Sequence, residues 1–158
     1  MTVTTAKTRI TTPSDREIHA ERIVNAPRDR VWRAYADPAL IPQWWGRGNQ
    51  LDIERHEFQR GGHWRYVEHS DHGVHGFEGR YREVTPPERF VRSFEWDGMP
   101  GHVAIEFVTL VDLGDGRTKI SIVMQMHTRE ERDGFLHSGM QEGMDAAFAE
   151  LDTILAST

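Results

Sequence analysis

The chain has 158 residues, 37% of them hydrophobic and 28% charged, with a formal net charge of −6. That length suits one domain with a sizeable core, and the acidic balance argues against non-specific nucleic-acid binding, which rests on phosphate neutralisation. With no cysteine there is no disulfide, thiol nucleophile or thiolate metal site, and with no long apolar run or signal core the expected location is cytoplasmic, without a membrane span.

Residues 1–15 are rich in threonine and read as a flexible leader ending at Pro13-Ser14-Asp15, ahead of a single domain over 16–158. A first strand runs from Ile18 to Val24. Asn25-Ala26-Pro27 stops it, with Asn25 or Ala26 expected to cap a short helix that carries Pro27 in its first turn. Val31, Trp32 and Tyr35 share one face of that helix. Asp37-Pro38 ends it and opens a second short helix, Ala39 to Trp44, which Gly46 closes. Three of the five tryptophans (Trp32, Trp44 and Trp45) fall in this short stretch. Aromatics so concentrated build the wall of a core or of a pocket.

From Gln50 to His127 the pattern is almost all strand. Gly61-Gly62, Ser70-Asp71-His72-Gly73, Thr85-Pro86-Pro87-Glu88, the 97–101 segment and Gly114-Asp115-Gly116 are turns between alternating segments. Trp64 and Tyr66 alternate, then His75, Phe77 and Tyr81, then Phe90, Phe94 and Trp96. Val103, Ile105 and Phe107 follow, and then Ile120, Ile122, Met124 and Met126. An antiparallel meander of about six strands after the first is expected. Thr128 and Glu131 form a capping box. From there Leu136, Met140, Met144, Ala147, Phe148, Leu151 and Leu155 make one apolar stripe. The expectation is one helix of more than about 25 residues, about 40 Å long, which only a long curved sheet can bury.

This order resembles the helix-grip superfamily that includes START domains and the birch-pollen allergen, and within it the branch related to activators of the heat-shock protein 90 ATPase. The resemblance rests on Arg22, Ala26-Pro27, Val31-Trp32, Asp37-Pro38, Trp44-Trp45-Gly46, Gly61-Gly62, Trp64-Arg65, Gly79, Tyr81, Pro86-Pro87-Glu88-Arg89, Gly139 and Gly143. It implies an α+β fold: a curved antiparallel sheet of six to seven strands wrapped around a long C-terminal helix, with two short helices after strand 1. It also implies a cavity between sheet and helix, without one catalytic constellation. Many relatives carry tryptophan directly after the second glycine of the last helix. This chain has Met144 there, which changes the roof of the cavity.

The expected cavity wall comprises Trp44, Trp45, Trp64, Tyr66, Phe77, Tyr81, Phe94, Trp96 and Phe107, with His75, and with Met126, Met140, Met144 and Phe148 from the last strand and helix. Met124 is read as core. Gly139 and Gly143 share a helical face and either let the helix approach the sheet or leave room above a ligand. His69, His72 and His75 have the spacing of a zinc triad, but strand parity separates them, so no metal or other cofactor is expected. Tyr66, Glu68 and His75 are the acid–base candidates, and Arg92 shares parity with Phe94 and Trp96.

The first functional reading is binding of a small apolar or aromatic ligand without transforming it. The second is a polyketide cyclase, aromatase or hydratase-like enzyme. The third is a co-chaperone acting on the heat-shock protein 90 ATPase, weakened by the lack of the separate N-terminal domain of the dedicated activators. An exposed strand edge makes a homodimer a further expectation.

Overall fold

A computed structural model describes residues 7–157. Eight strands form one antiparallel sheet: β1 (Arg9–Ser14), β2 (Glu17–Val24), β3 (Gln50–His56), β4 (His63–Ser70), β5 (Gly73–Thr85), β6 (Arg89–Trp96), β7 (Val103–Asp112) and β8 (Thr118–Gln125). Their order across the sheet is β1-β2-β8-β7-β6-β5-β4-β3. The meander therefore runs unbroken from β3 to β8, and β2 closes against β8 over eight paired positions from Glu17↔Gln125 to Val24↔Thr118. Helix α1 (Arg28–Ala36) and a 3-10 turn (Ile41–Gln43) lie between β2 and β3. Two helices, α2 (Arg129–Leu136) and α3 (Met140–Ala156), end the chain. None of the described helices is long and apolar enough to cross a membrane.

The inner face follows strand parity. Ile18, Ala20, Arg22 and Val24 of β2 meet Ile120, Ile122 and Met124 of β8 and Ala104, Glu106, Val108 and Leu110 of β7, and Phe148, Leu151 and Leu155 of α3 close the core above them.

Five expectations are corrected. The leader gives way at Arg9 to strand β1, which pairs with β2 through Arg9↔Glu21, Ile10↔Ala20 and Thr11↔His19. What holds this segment is distant in sequence, which is why its composition misleads. The Thr8 N–H donates to Asp145 Oδ1 (2.9 Å) and Gln141 Nε2 donates to the Thr8 carbonyl (2.8 Å), so α3 grips the chain just before β1. Residues 1–6 of the leader lie outside the described residues. The sheet thus has one strand more than expected.

The single long helix is two helices. Gly139 stands at φ +84°, a left-handed conformation that glycine adopts without a steric penalty, and Ser138 Oγ donates to the Phe135 carbonyl to finish α2. The capping box at Thr128 and Glu131 stands as read. At the other end, α1 begins after Pro27 itself, without a side-chain cap from Asn25 or Ala26. The stretch from Ala39 to Trp44 holds only the 3-10 turn.

The fifth correction is parity in β7. Phe90 and Arg92 face inward, and the register Phe90↔Val108 and Arg92↔Glu106 turns Val108 and Glu106 inward with them. Phe107 therefore points to the outer face, half-buried between Val91 and Val123 on the neighbouring strands. Both faces of β7 carry apolar residues, and the charge on Glu106 made the wrong face look like the inner one.

Candidate functional site

Between the concave face of the sheet and the two C-terminal helices lies a cavity of about 440 Å³, within the range typical of small-molecule sites. The Trp44-Trp45-Gly46 segment forms one wall. Trp44 is anchored: its Nε1–H donates to the Ala34 carbonyl (3.1 Å) and its ring stacks on Phe148 of α3. Trp45 is only half-buried and lies edge-on against Tyr66 and Phe77, with ring centroids 5.1 and 5.2 Å away.

Of the expected wall, Trp44, Trp45, His75, Phe77, Phe94, Trp96, Met140, Met144 and Phe148 line the cavity; Trp64, Tyr66, Tyr81, Phe107 and Met126 do not. The reasons are local. Trp45 covers Trp64 and Tyr66. Tyr81 packs beneath Phe58 and Phe90. Phe107 is on the outer face. Met126 is buried in the core just past the end of β8. Met124, expected in the core, is both buried and lining. Met99 from the β6–β7 turn and Phe135 from α2 also line the cavity and were not anticipated.

Gly79 is what lets the aromatic floor form. It lies between Trp64 on β4 and Phe94 on β6, and a Cβ there would come within 1.9 Å of the Ser93 carbonyl oxygen. That same oxygen accepts the Trp64 indole N–H at 3.1 Å. Gly143 does something else: a Cβ there would meet the Arg47 Nη1 at 3.2 Å. The space above Gly143 is filled by Arg47, which matches neither of the two readings of that glycine.

Polar groups enter this apolar space as two ion pairs. Arg47 sits at φ +58°, a left-handed conformation costly for a residue with a side chain. Its Nε and Nη2 both donate to the Glu68 carboxylate, which is 1% exposed and also accepts from Asn49. A bidentate charge-assisted pair of this kind offsets the backbone cost. Deeper in, Arg92 (3% exposed) donates from Nε to Glu106 Oε1 at 2.6 Å and lies over the Trp64 ring, with Cζ 4.1 Å from its centroid. Burial alone would lower the Arg92 pKa, but Glu106, with Tyr81 and Tyr66, holds it above the ordinary arginine value. Arg47 and Glu106 were not anticipated from the sequence. Glu106 had a signal: it and Arg92 are equidistant from Met99 in the middle of the β6–β7 turn, so hairpin register pairs them.

The acid–base candidates separate. Glu68 and His75 are cross-strand partners and both face the cavity. Tyr66 lies under Trp45 and its hydroxyl is 2.9 Å from His56 Nδ1. His56 Nε2 is 3.0 Å from the Ala36 carbonyl, which can only accept, so Nε2 carries the proton and Tyr66 donates to Nδ1. The hairpin histidines diverge too: His69 bonds Asp52 at 2.8 Å, on the face opposite His75, and His72 is exposed at the turn.

His56 gives a pH prediction. Burial lowers its pKa below the ordinary 6.5, the Ala36 carbonyl opposes the shift, and Arg92 adds to it. A group with a lowered pKa binds protons more weakly in the folded than in the unfolded chain. Its contribution is complete above 6.5 and is lost as pH falls through the folded value. His56→Gln should therefore flatten the acid side of the stability–pH curve; an unchanged slope in denaturation at stepped pH would refute the assignment.

A family model described as "Activator of Hsp90 ATPase homolog 1-like protein" matches residues 25–156. No curated protein matches the chain significantly. Among solved structures, a Rhodobacter sphaeroides protein is 28% identical, with a TM-score of 0.88 over 96% of this chain and 99% of that one. Protein Ms6760 from Mycobacterium smegmatis is 22% identical, with a TM-score of 0.84 over 96% and 98%. DynU16, a protein of the dynemicin biosynthetic locus, is 23% identical with a TM-score of 0.69; the match covers 92% of this chain and 48% of that one. The last two likenesses speak to the fold.

Proposed function

The chain belongs to the Activator of Hsp90 ATPase homolog 1-like family, and from that premise we propose that it binds a small aromatic molecule in the cavity between the sheet and the C-terminal helices. The observation that carries this reading is the lining: Trp45, Phe77, Phe94 and Trp96 on the sheet side face Met140 and Met144 on the helix side around about 440 Å³. Aromatic walls fix a flat ring, and thioethers adapt to its outline. The charged groups at the wall are already paired with one another, which suits a ligand that is neutral over most of its surface.

Native mass spectrometry of the purified protein, followed by denaturing analysis of whatever it carries, tests the reading. A stoichiometric aromatic or apolar passenger is the expected result. Met144→Trp, which places an indole in the roof, should abolish that passenger while leaving the far-ultraviolet circular dichroism unchanged. An empty wild-type spectrum, with no thermal shift across an aromatic panel and a raised heat-shock protein 90 ATPase rate, would move the function outside the cavity.

Acid–base catalysis is the second reading, favoured by the pairing of His75 with Glu68 on the cavity face. DynU16 lends it context only through the biosynthetic locus to which that protein belongs. It predicts that the passenger is recovered chemically altered, whereas simple carriage returns it intact.

A further inference from the structure

Two polar atoms beside the cavity lack partners. Glu106 gives Oε1 to Arg92, but no donor among the described residues meets its Oε2. Tyr35 lines the same cavity, and its hydroxyl likewise has no hydrogen-bond partner among the described residues. Both residues are more than nine-tenths buried, at 7% and 6% exposure. Neither oxygen belongs to the fully enclosed unpartnered atoms, which are Thr8 Oγ1 and Arg22 Nε. Both therefore open onto the cavity.

These atoms ask for opposite things. A carboxylate beside a guanidinium accepts hydrogen bonds and gives none. Tyr35 keeps its proton, because burial first and the Glu106 charge second push its pKa up against the smaller opposing effect of Arg92; it is a donor. A hydroxyl satisfies both at once, donating to Glu106 Oε2 and accepting from Tyr35. An ether or carbonyl has no proton for Glu106. A carboxylate brings a second negative charge against it.

We propose that the cavity takes a hydroxylated aromatic molecule, a phenol or naphthol, seated with its hydroxyl between Glu106 and Tyr35. This rests on the ligand-binding reading above and adds to it the group that is recognised. The Arg92–Glu106 pair is neutral overall, so selection at this end is by hydrogen-bond geometry. A site built to bond a hydroxyl discriminates strongly against an analogue that lacks it, because its own buried groups are then left unpaired.

The test is a titration of the full chain, read by tryptophan fluorescence, with naphthalene, 2-naphthol and 2-naphthoate. 2-Naphthol should bind about tenfold or more tighter than naphthalene, and 2-naphthoate more weakly than either. Tyr35→Phe, which keeps the ring, should narrow the gap between 2-naphthol and naphthalene from both sides, weakening 2-naphthol and removing the hydroxyl that naphthalene would leave unpaired. Equal affinity for the two in the wild type, or a gap undiminished by Tyr35→Phe, would overturn the hydroxyl assignment and leave the cavity reading standing. Failure of all three probes to bind would count against both.

Discussion

Arg92→Met is expected to destabilise the protein by about 3–5 kcal/mol, because it leaves the Glu106 carboxylate buried without its counter-charge. Several interactions disappear together. The 2.6 Å bond to Glu106 is lost, as is the cation over the Trp64 ring, and Tyr66 and Tyr81 lose the positive charge beside them. The double variant R92M/E106L removes both charges and should recover most of that loss, since an apolar pair of similar volume often replaces a buried ion pair at little cost. Urea denaturation of the two single variants and the double variant measures the coupling. A single-variant loss under about 1 kcal/mol would mean that Glu106 is satisfied from the cavity side, by water or another donor, and that the pair with Arg92 adds little to stability.

Gly79→Ala is the second large effect. Its added methyl carbon would lie 1.9 Å from the Ser93 carbonyl oxygen and 2.6 Å from the Ser93 carbonyl carbon, both backbone atoms of the adjoining strand. No side-chain rotation relieves that overlap, so β5 and β6 must separate where Trp64 bonds the same oxygen. The expected cost is about 3 kcal/mol or more, which for a domain of this size lowers Tm by about 6–12 °C. Gly143→Ala is the control. Its nearest neighbour is the end of the Arg47 side chain at 3.2 Å, which can swing aside, and alanine is the better helix former by about 1 kcal/mol. Stability should hold or rise. Equal losses in the two variants would show that backbone crowding at Gly79 is not the cause.

Turns and alternation made the meander legible. The glycine and proline punctuation of residues 61–116 located its hairpins, and the capping box located the start of the last helical region. What periodicity could not supply was anything set by a distant partner. Strand β1 depends on Asp145 and Gln141, more than 130 residues downstream. The Gly139 break could be suspected from residue type, but an apolar stripe runs across it unbroken. Within the site, parity identified Glu68, His75, Phe77, Phe94 and Trp96 on the cavity face. It failed at Trp64 and Tyr66, where the facing direction was right and Trp45 covers them from above. It failed at Phe107 because two apolar faces left parity undetermined until the hairpin register was counted. Arg47 was invisible: its place follows from one left-handed residue in a loop.

The joint at Gly139 divides the roof of the cavity mechanically. Helix α3 is rooted in the core by Phe148, Leu151 and Leu155, and Arg22 binds it to β2 through Asp152 at 2.8 Å. Helix α2 has no buried residue; the His102–Glu131 pair, a bond from Arg132 Nη1 to the Ser14 carbonyl at the end of β1, and the edge contact of Phe135 with Phe94 hold it. A continuous rod would act as a lever, so that tilting one end wrenched the other out of the core. With a swivel at residue 139, displacing α2 breaks these few contacts and leaves α3 seated. The stiffness of the fold and the ease of uncovering its interior are thereby assigned to different helices.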